Sequence, residues 1–224
     1  VRWRKHQQLI FKDSSNYLQL ARIYPGEAQK VQTPDQRLRL RFGAHAFYDT
    51  LSIVPHYNIR GHEVHLSVQP QMLAAKNEFG IEFYLGEMAD SMPSRYRLFR
   101  KELDGDLSYV DSRQIGRTLH AYPSQPGEFI IKADTTAPVI DDFRIIQTNY
   151  GKWQATVMVT DEESGIESSS AQFWVNGIRG IAEYDYEKDV LTYHLQGFSP
   201  ESENTAEVYI EDKAGNHTHI TFTP

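Results

Sequence analysis

The chain contains no cysteine, which excludes disulfides, thiolate metal sites and a cysteine nucleophile. It has no long apolar run, so no segment reads as a membrane-spanning helix. No glycine-rich phosphate loop and no serine–histidine–aspartate context of a hydrolase is present. The acidic residues offer no pair that sequence alone assigns to glycoside chemistry. No signal-peptide pattern follows Val1, and a chain that begins on valine is expected to be an excised or processed piece of a longer protein.

What is present favours strands. Of 224 residues, 40% are hydrophobic and 12% aromatic, tyrosine outnumbers phenylalanine, and β-branched residues are frequent. The net charge of −7 is split unevenly: residues 1–133 carry 18 Lys and Arg against 14 Asp and Glu, and the remainder carries 5 against 16. The first part is therefore +4 and the second −11, which suggests two units with different surfaces. So acidic a second unit argues against nucleic acid as a partner, because phosphates would be repelled.

The clearest break is Ala-Asp-Thr-Thr-Ala-Pro-Val-Ile-Asp, residues 133–141. Pro138 disfavours helix at Ala137 and cannot donate to a sheet ladder. Beyond it, Trp153, Ala155, Val157 and Val159 alternate on one face. An Asn176–Gly177 turn follows Trp174, Leu191, Tyr193 and Leu195 alternate, and so do Ala206, Val208 and Ile210. About seven short strands in some 90 residues are expected there, the pattern of a β-sandwich. Before the break, Leu38, Leu40 and Phe42, then Val64, Leu66 and Val68, then Ile81, Phe83 and Leu85 alternate in the same way. Asp104–Gly105 marks a hairpin. The expected fold is all-β, with two tandem sandwiches over residues 34–133 and 134–224. Residues 1–33 are expected to be an N-terminal extension or the tail of a preceding domain. A short helix is expected over 14–24, capped by Ser15 or Asn16.

Three phrases in the second unit resemble bacterial extracellular immunoglobulin-like domains: Asp134 to Ile140, Asp161 to Ile166 and Glu211 to Asn216. They stand in the order in which such domains use them, at the start of the first strand, after the second strand and at the last hairpin. The wider layout resembles the non-catalytic region that follows the catalytic domain in some secreted peptidases of the M23 family. The resemblance implies a cell-envelope location and an accessory role.

Two histidine patterns test that reading. His45 and Asp49 in H-x-x-x-D spacing, with His217 and His219 in H-x-H, look like the two halves of an M23-type zinc site. A catalytic zinc needs three converging protein ligands and an open position. Here the halves fall on opposite sides of the Asp134 break, and strand alternation sets His217 and His219 on the face away from Ile220 and Phe222. A surface pair is the expectation. Gly61 to His65 lacks one residue of H-E-x-x-H, so His62 and His65 have no helical i, i+4 geometry.

The carboxylates carry more. In an immunoglobulin-like sandwich the loops after the second and sixth strands meet at one end. That would crowd Asp161, Glu162 and Glu163 against Glu211 and Asp212, with Asp134 approaching from the linker. Calcium, with its 6–8 oxygen ligands, is the natural bridge and would stiffen the junction; ordinary solvated turn acids are the alternative. Tyr184, Tyr186, Tyr193 and Trp174 form a candidate sugar-stacking set, with plain strand packing as the alternative. The sequence thus favours a non-catalytic, extracytoplasmic accessory or spacer region that positions other modules or meets a protein or cell-wall glycan. Beyond structural calcium no cofactor, and no membrane insertion, is expected. A carbohydrate-binding module is the alternative, and a zinc metallohydrolase ranks third.

Overall fold

A computed structural model of the chain describes residues 8–13, 16–71, 73, 75–195 and 204–223. It is all-β, with every strand pair antiparallel. The chain divides between Ala133 and Asp134 into two compact units. No helix among the described residues is long and apolar enough to cross a membrane.

The first unit runs β1 (Gln8–Asp13), β2 (Asn16–Ile23), β3 (Gln29–Gln32), β4 (Leu38–Phe42), β5 (Leu51–Arg60), β6 (Glu63–Gln69) and β7 (Gly80–Tyr84). One helical turn, α1 (Met88–Ser91), follows. Then come β8 (Tyr96–Lys101), β9 (Leu107–Val110), β10 (Ser112–Ile115), β11 (Thr118–Ala121) and β12 (Glu128–Ala133). A seven-stranded sheet has the order β1-β2-β5-β6-β12-β8-β9, and a five-stranded sheet the order β10-β11-β7-β4-β3. Period-two alternation sends Leu38, Leu40 and Phe42 of one sheet and Val64, Leu66 and Val68 of the other into a shared core. At about 25 cal/mol per Å² of apolar surface removed from water, this interdigitation is the main stabilising term.

Within residues 1–33, expected as an extension or preceding tail with a short helix over 14–24, Gln8–Asp13, Asn16–Ile23 and Gln29–Gln32 are strands of this unit. Ala21 pairs with Ile53 and Ile23 with Leu51, and Ala21, Ile23 and Val31 are buried in the core. Leu, Gln, Ala and Arg favour a helix locally, but pairing with a strand 30 residues away overrides that preference. The proposed cap residue Ser15 lies outside the described residues.

The second unit runs β13 (Val139–Gln147), β14 (Trp153–Thr160), β15 (Ile166–Val175), β16 (Ile178–Gly180), β17 (Ala182–Asp185), β18 (Val190–Leu195), β19 (Ala206–Asp212) and β20 (His217–Phe222). Its two four-stranded sheets have the orders β13-β14-β18-β17 and β16-β15-β19-β20. Ala155, Val157, Val159 and Leu191 from one meet Phe173, Val208 and Ile210 from the other. The Asn176–Gly177 turn has φ of 52° and 75°, the doubly positive geometry of a two-residue hairpin, and Val175 pairs with Ile178 across it. Gly180 allows the sheets to approach: the Tyr193 ring lies where a Cβ at Gly180 would sit, and its hydroxyl donates to the Ile178 carbonyl at 3.3 Å.

Candidate functional site

Three aspartates meet within the second unit. Asp134 is its first residue, Asp161 immediately follows β14, and Asp212 ends β19. Each offers a carboxylate oxygen, and these oxygens lie within 4.8 Å of one another. Asp134 and Asp212 are 0% and 2% exposed, and Asp161 is half-buried.

Local turn chemistry fixes each carboxylate. Asp161 Oδ1 accepts the backbone N–H groups of Glu163 (3.1 Å) and Gly165 (2.6 Å), curling the loop back on itself. Gly165 has φ +79°, a backbone conformation that a side chain at this tight return would resist. Asp212 Oδ1 accepts the Asn216 N–H at 2.8 Å, closing the β19–β20 turn, where Gly215 again supplies a positive φ of 83°. Asp134 Oδ1 accepts from Thr136 N–H (3.0 Å) and Oδ2 from Ser164 N–H (3.1 Å). The amide of Asn216 donates to Asp212 Oδ2 (2.6 Å) and to the Asp134 carbonyl (3.2 Å). The Lys213 N–H donates to the Gly165 carbonyl at 2.9 Å, joining the two loops directly.

These bonds leave a deficit of positive partners. Asp161 Oδ2 and the Ser164 hydroxyl are buried without a hydrogen-bond partner, and such groups are few in native proteins. Burial pushes the Asp161 carboxyl above the usual carboxylate range, and the nearby Asp134 and Asp212 charges push it further. Burial also raises Asp212, with Asp134 again adding to the effect. Calcium–oxygen distances of 2.3–2.6 Å allow two ligands of one ion to be up to about 5 Å apart. The observed spacing fits that limit, and the oxygen-only donor set is the one a hard cation takes.

Of the five residues that the sequence singles out for calcium, Asp134, Asp161 and Asp212 come together. The three-carboxylate group does not include Glu162 or Glu163: Glu162 is exposed, and Glu163 enters through its backbone N–H. Glu211 also lies outside it and accepts from the Tyr209 hydroxyl. Ser164 and Asn216 contribute to the site without having been singled out. Both sit inside the phrases that carry the immunoglobulin-like resemblance, and their place three residues after Asp161 and four after Asp212, in the same tight turns, was the available clue.

The histidines go elsewhere. His217 and His219 are exposed on the outer face of β20, while Ile220 and Phe222 pack against the core. His217 stacks on Tyr209 at 5.5 Å between centroids, and His219 Nε2 is 3.6 Å from Glu207. His45 and Asp49 are exposed in the loop after β4 of the other unit, and His62 occupies the β5–β6 turn. Among the described residues none of them joins a group of three metal-ligating side chains. The aromatic set is dispersed too. Tyr193 faces the core, Tyr184 donates to Asp189 (3.0 Å), Trp174 belongs to the opposite sheet, and Tyr186 alone is largely exposed.

Compared with known proteins, the chain matches no family model, and no curated protein matches it significantly.

Proposed function

We propose that this chain is a non-catalytic, extracytoplasmic accessory region: two β-sandwiches that set the position of other modules and meet a protein or glycan partner. In this reading a calcium ion held by Asp134, Asp161 and Asp212 locks the loops of the second sandwich. The observation that carries it is the buried carboxylate triad with its unpartnered Asp161 Oδ2, which joins the first residue of the unit to two of its loops. A structural ion there stiffens three chain segments at once and asks for no open coordination position. The immunoglobulin-like assignment is supported by strand order. With β13 to β20 taken as strands A, B, C, C′, D, E, F and G, the sheets are A-B-E-D and C′-C-F-G. Kinship with the accessory region of M23-type cell-wall peptidases rests on the wider layout, a sandwich followed by a second one through the Asp134-x-x-x-Pro138 junction.

A zinc hydrolase is less well supported, because its two half-motifs lie in different units and its H-x-H pair faces outward. The deciding experiment is metal analysis of protein purified without chelator, together with thermal melting in calcium and in chelator. One calcium per chain with a calcium-dependent Tm supports the proposal. One tightly bound zinc per chain, with cell-wall peptide hydrolysis lost in His217→Ala, would overturn it.

A further inference from the structure

A second candidate binding feature lies in the first unit, on the outer face of the seven-stranded sheet. There β5, β6, β12 and β8 line a shallow cleft of about 310 Å³. Strand register sets its rows. His56 pairs with Ser67, and Ser67 with Glu128. In the next row His65 pairs with Ile130, and Ile130 with Phe99. Lys101 is one residue past the Arg100–Phe129 pair, on the side of Glu128. Short Ser67 and half-buried Ile130 make the floor, and His56, Arg60, His65 and Lys101 stand around it. Beyond Ile130 the face is closed by Phe99, which is buried outside the central core under the Tyr109 ring (6.2 Å, edge-on) and Lys132 Nζ (4.9 Å) and does not line the cleft.

We propose that this cleft binds a short segment of an acidic carbohydrate. The size suits one or two sugar rings. The floor offers an apolar spot for a sugar's C–H face, and the walls offer many donors with one carboxylate acceptor, Glu128. That imbalance selects a ligand rich in acceptors, and Arg60 and Lys101 supply charge-assisted bonds to a sugar carboxylate. Glu128 is turned in part toward Gln71, whose amide donates to it at 2.9 Å, and Glu63 is 3.4 Å from His65 Nε2. A peptide is the poorer fit. β6 and β12, which carry the floor, are paired on both sides, so the floor has no backbone edge free for strand addition, and no apolar side-chain pocket lines the cleft. The inference rests on the reading of the chain as a recognition region, but not on the calcium site.

Calorimetric titration of the full chain with a short oligogalacturonide, its neutral galactose counterpart and a polyglutamate peptide of equal charge provides the test. The acidic sugar is expected to bind about tenfold or more tightly than either control, through charge-assisted bonds that the neutral sugar lacks. Arg60→Ala and Lys101→Ala, both at exposed positions, each weaken it about tenfold, and Glu128→Gln strengthens it. Circular dichroism confirms that each variant is folded. Binding unchanged in the Arg60→Ala/Lys101→Ala double variant, or equal binding of polyglutamate, overturns the proposal. Chromatography of the titrated sugar separates the two readings. Cleavage that accompanies Arg60-dependent binding would leave the cleft in place and overturn the non-catalytic role.

Discussion

Replacing Asp161 by asparagine should stabilise the second sandwich without calcium and remove the benefit of calcium. Asparagine keeps Oδ1 as acceptor for the Glu163 and Gly165 N–H groups. It replaces Oδ2, buried with no donor, by an NH2 group placed among the carboxylates of Asp134 and Asp212. It also removes a charge that burial and two like neighbours disfavour. Repairing one buried unsatisfied polar atom contributes about 1–2 kcal/mol, or roughly 5–10 °C in Tm for a unit of this size. Calcium changes the balance. A fifty- to hundredfold excess over Kd stabilises the native chain by about 2–3 kcal/mol, and the variant forfeits most of this. The variant should therefore melt above the parent in chelator and at or below it in calcium. Tryptophan fluorescence is the assay, since two of the three tryptophans, Trp153 and Trp174, are in the second unit. A parent Tm identical in chelator and millimolar calcium would refute the ion. A variant destabilised in both would refute the account of the orphaned oxygen.

Other perturbations probe the same frame. Without calcium, the raised carboxyls of Asp161 and Asp212 contribute stability that is fully present below about pH 4 and lost as pH rises through their folded-state values. Saturating calcium should reverse that slope, because the ion binds the deprotonated form, and melting across pH 3–7 with and without calcium reads both signs. Asn216→Ala removes the amide that serves Asp212 Oδ2 and the Asp134 carbonyl, and should destabilise the second unit by about 2–3 kcal/mol in denaturant titration in chelator, and by more in calcium. Gly180→Ala drives a Cβ into the Tyr193 ring and should cost about 1–3 kcal/mol, with a lower Tm of the tryptophan-reported transition.

The sheets were legible where one face of a strand is buried and the other wet. Leu38, Leu40 and Phe42 alternate with arginines, and Ala206, Val208 and Ile210 alternate with polar residues. All six are buried in the structure. Turns that need a positive φ were legible too, because Asn176–Gly177 and Asp104–Gly105 have few alternatives. β2 was not. Its membership depends on Ala21 meeting Ile53, and nothing within the eight residues of the strand encodes a partner 30 positions away. Local propensity then favoured the wrong element. Phe99 was not legible either: it is buried on the outside of its sheet by Tyr109 and Lys132, partners that no local pattern encodes.

The candidate metal site divides along the same physical line. That Asp161 and Asp212 approach each other follows from loop placement in a sandwich, and the chain order of their motifs was enough to suggest it. Which neighbouring acids join them depends on side-chain direction within a tight turn. Asp161 curls the loop so that its own Oδ1 receives the Glu163 and Gly165 N–H groups, which leaves Glu162 outside. The turn bonds and the ion are therefore not rivals for the same residues. A carboxylate oxygen has lone pairs enough for a backbone N–H and a cation together, and the N–H bonds hold each carboxylate in place before an ion arrives. A site prepared in this way binds with less ordering cost than a flexible acidic loop would, which is why the calcium effect should depend on Asn216 as well as on the three aspartates.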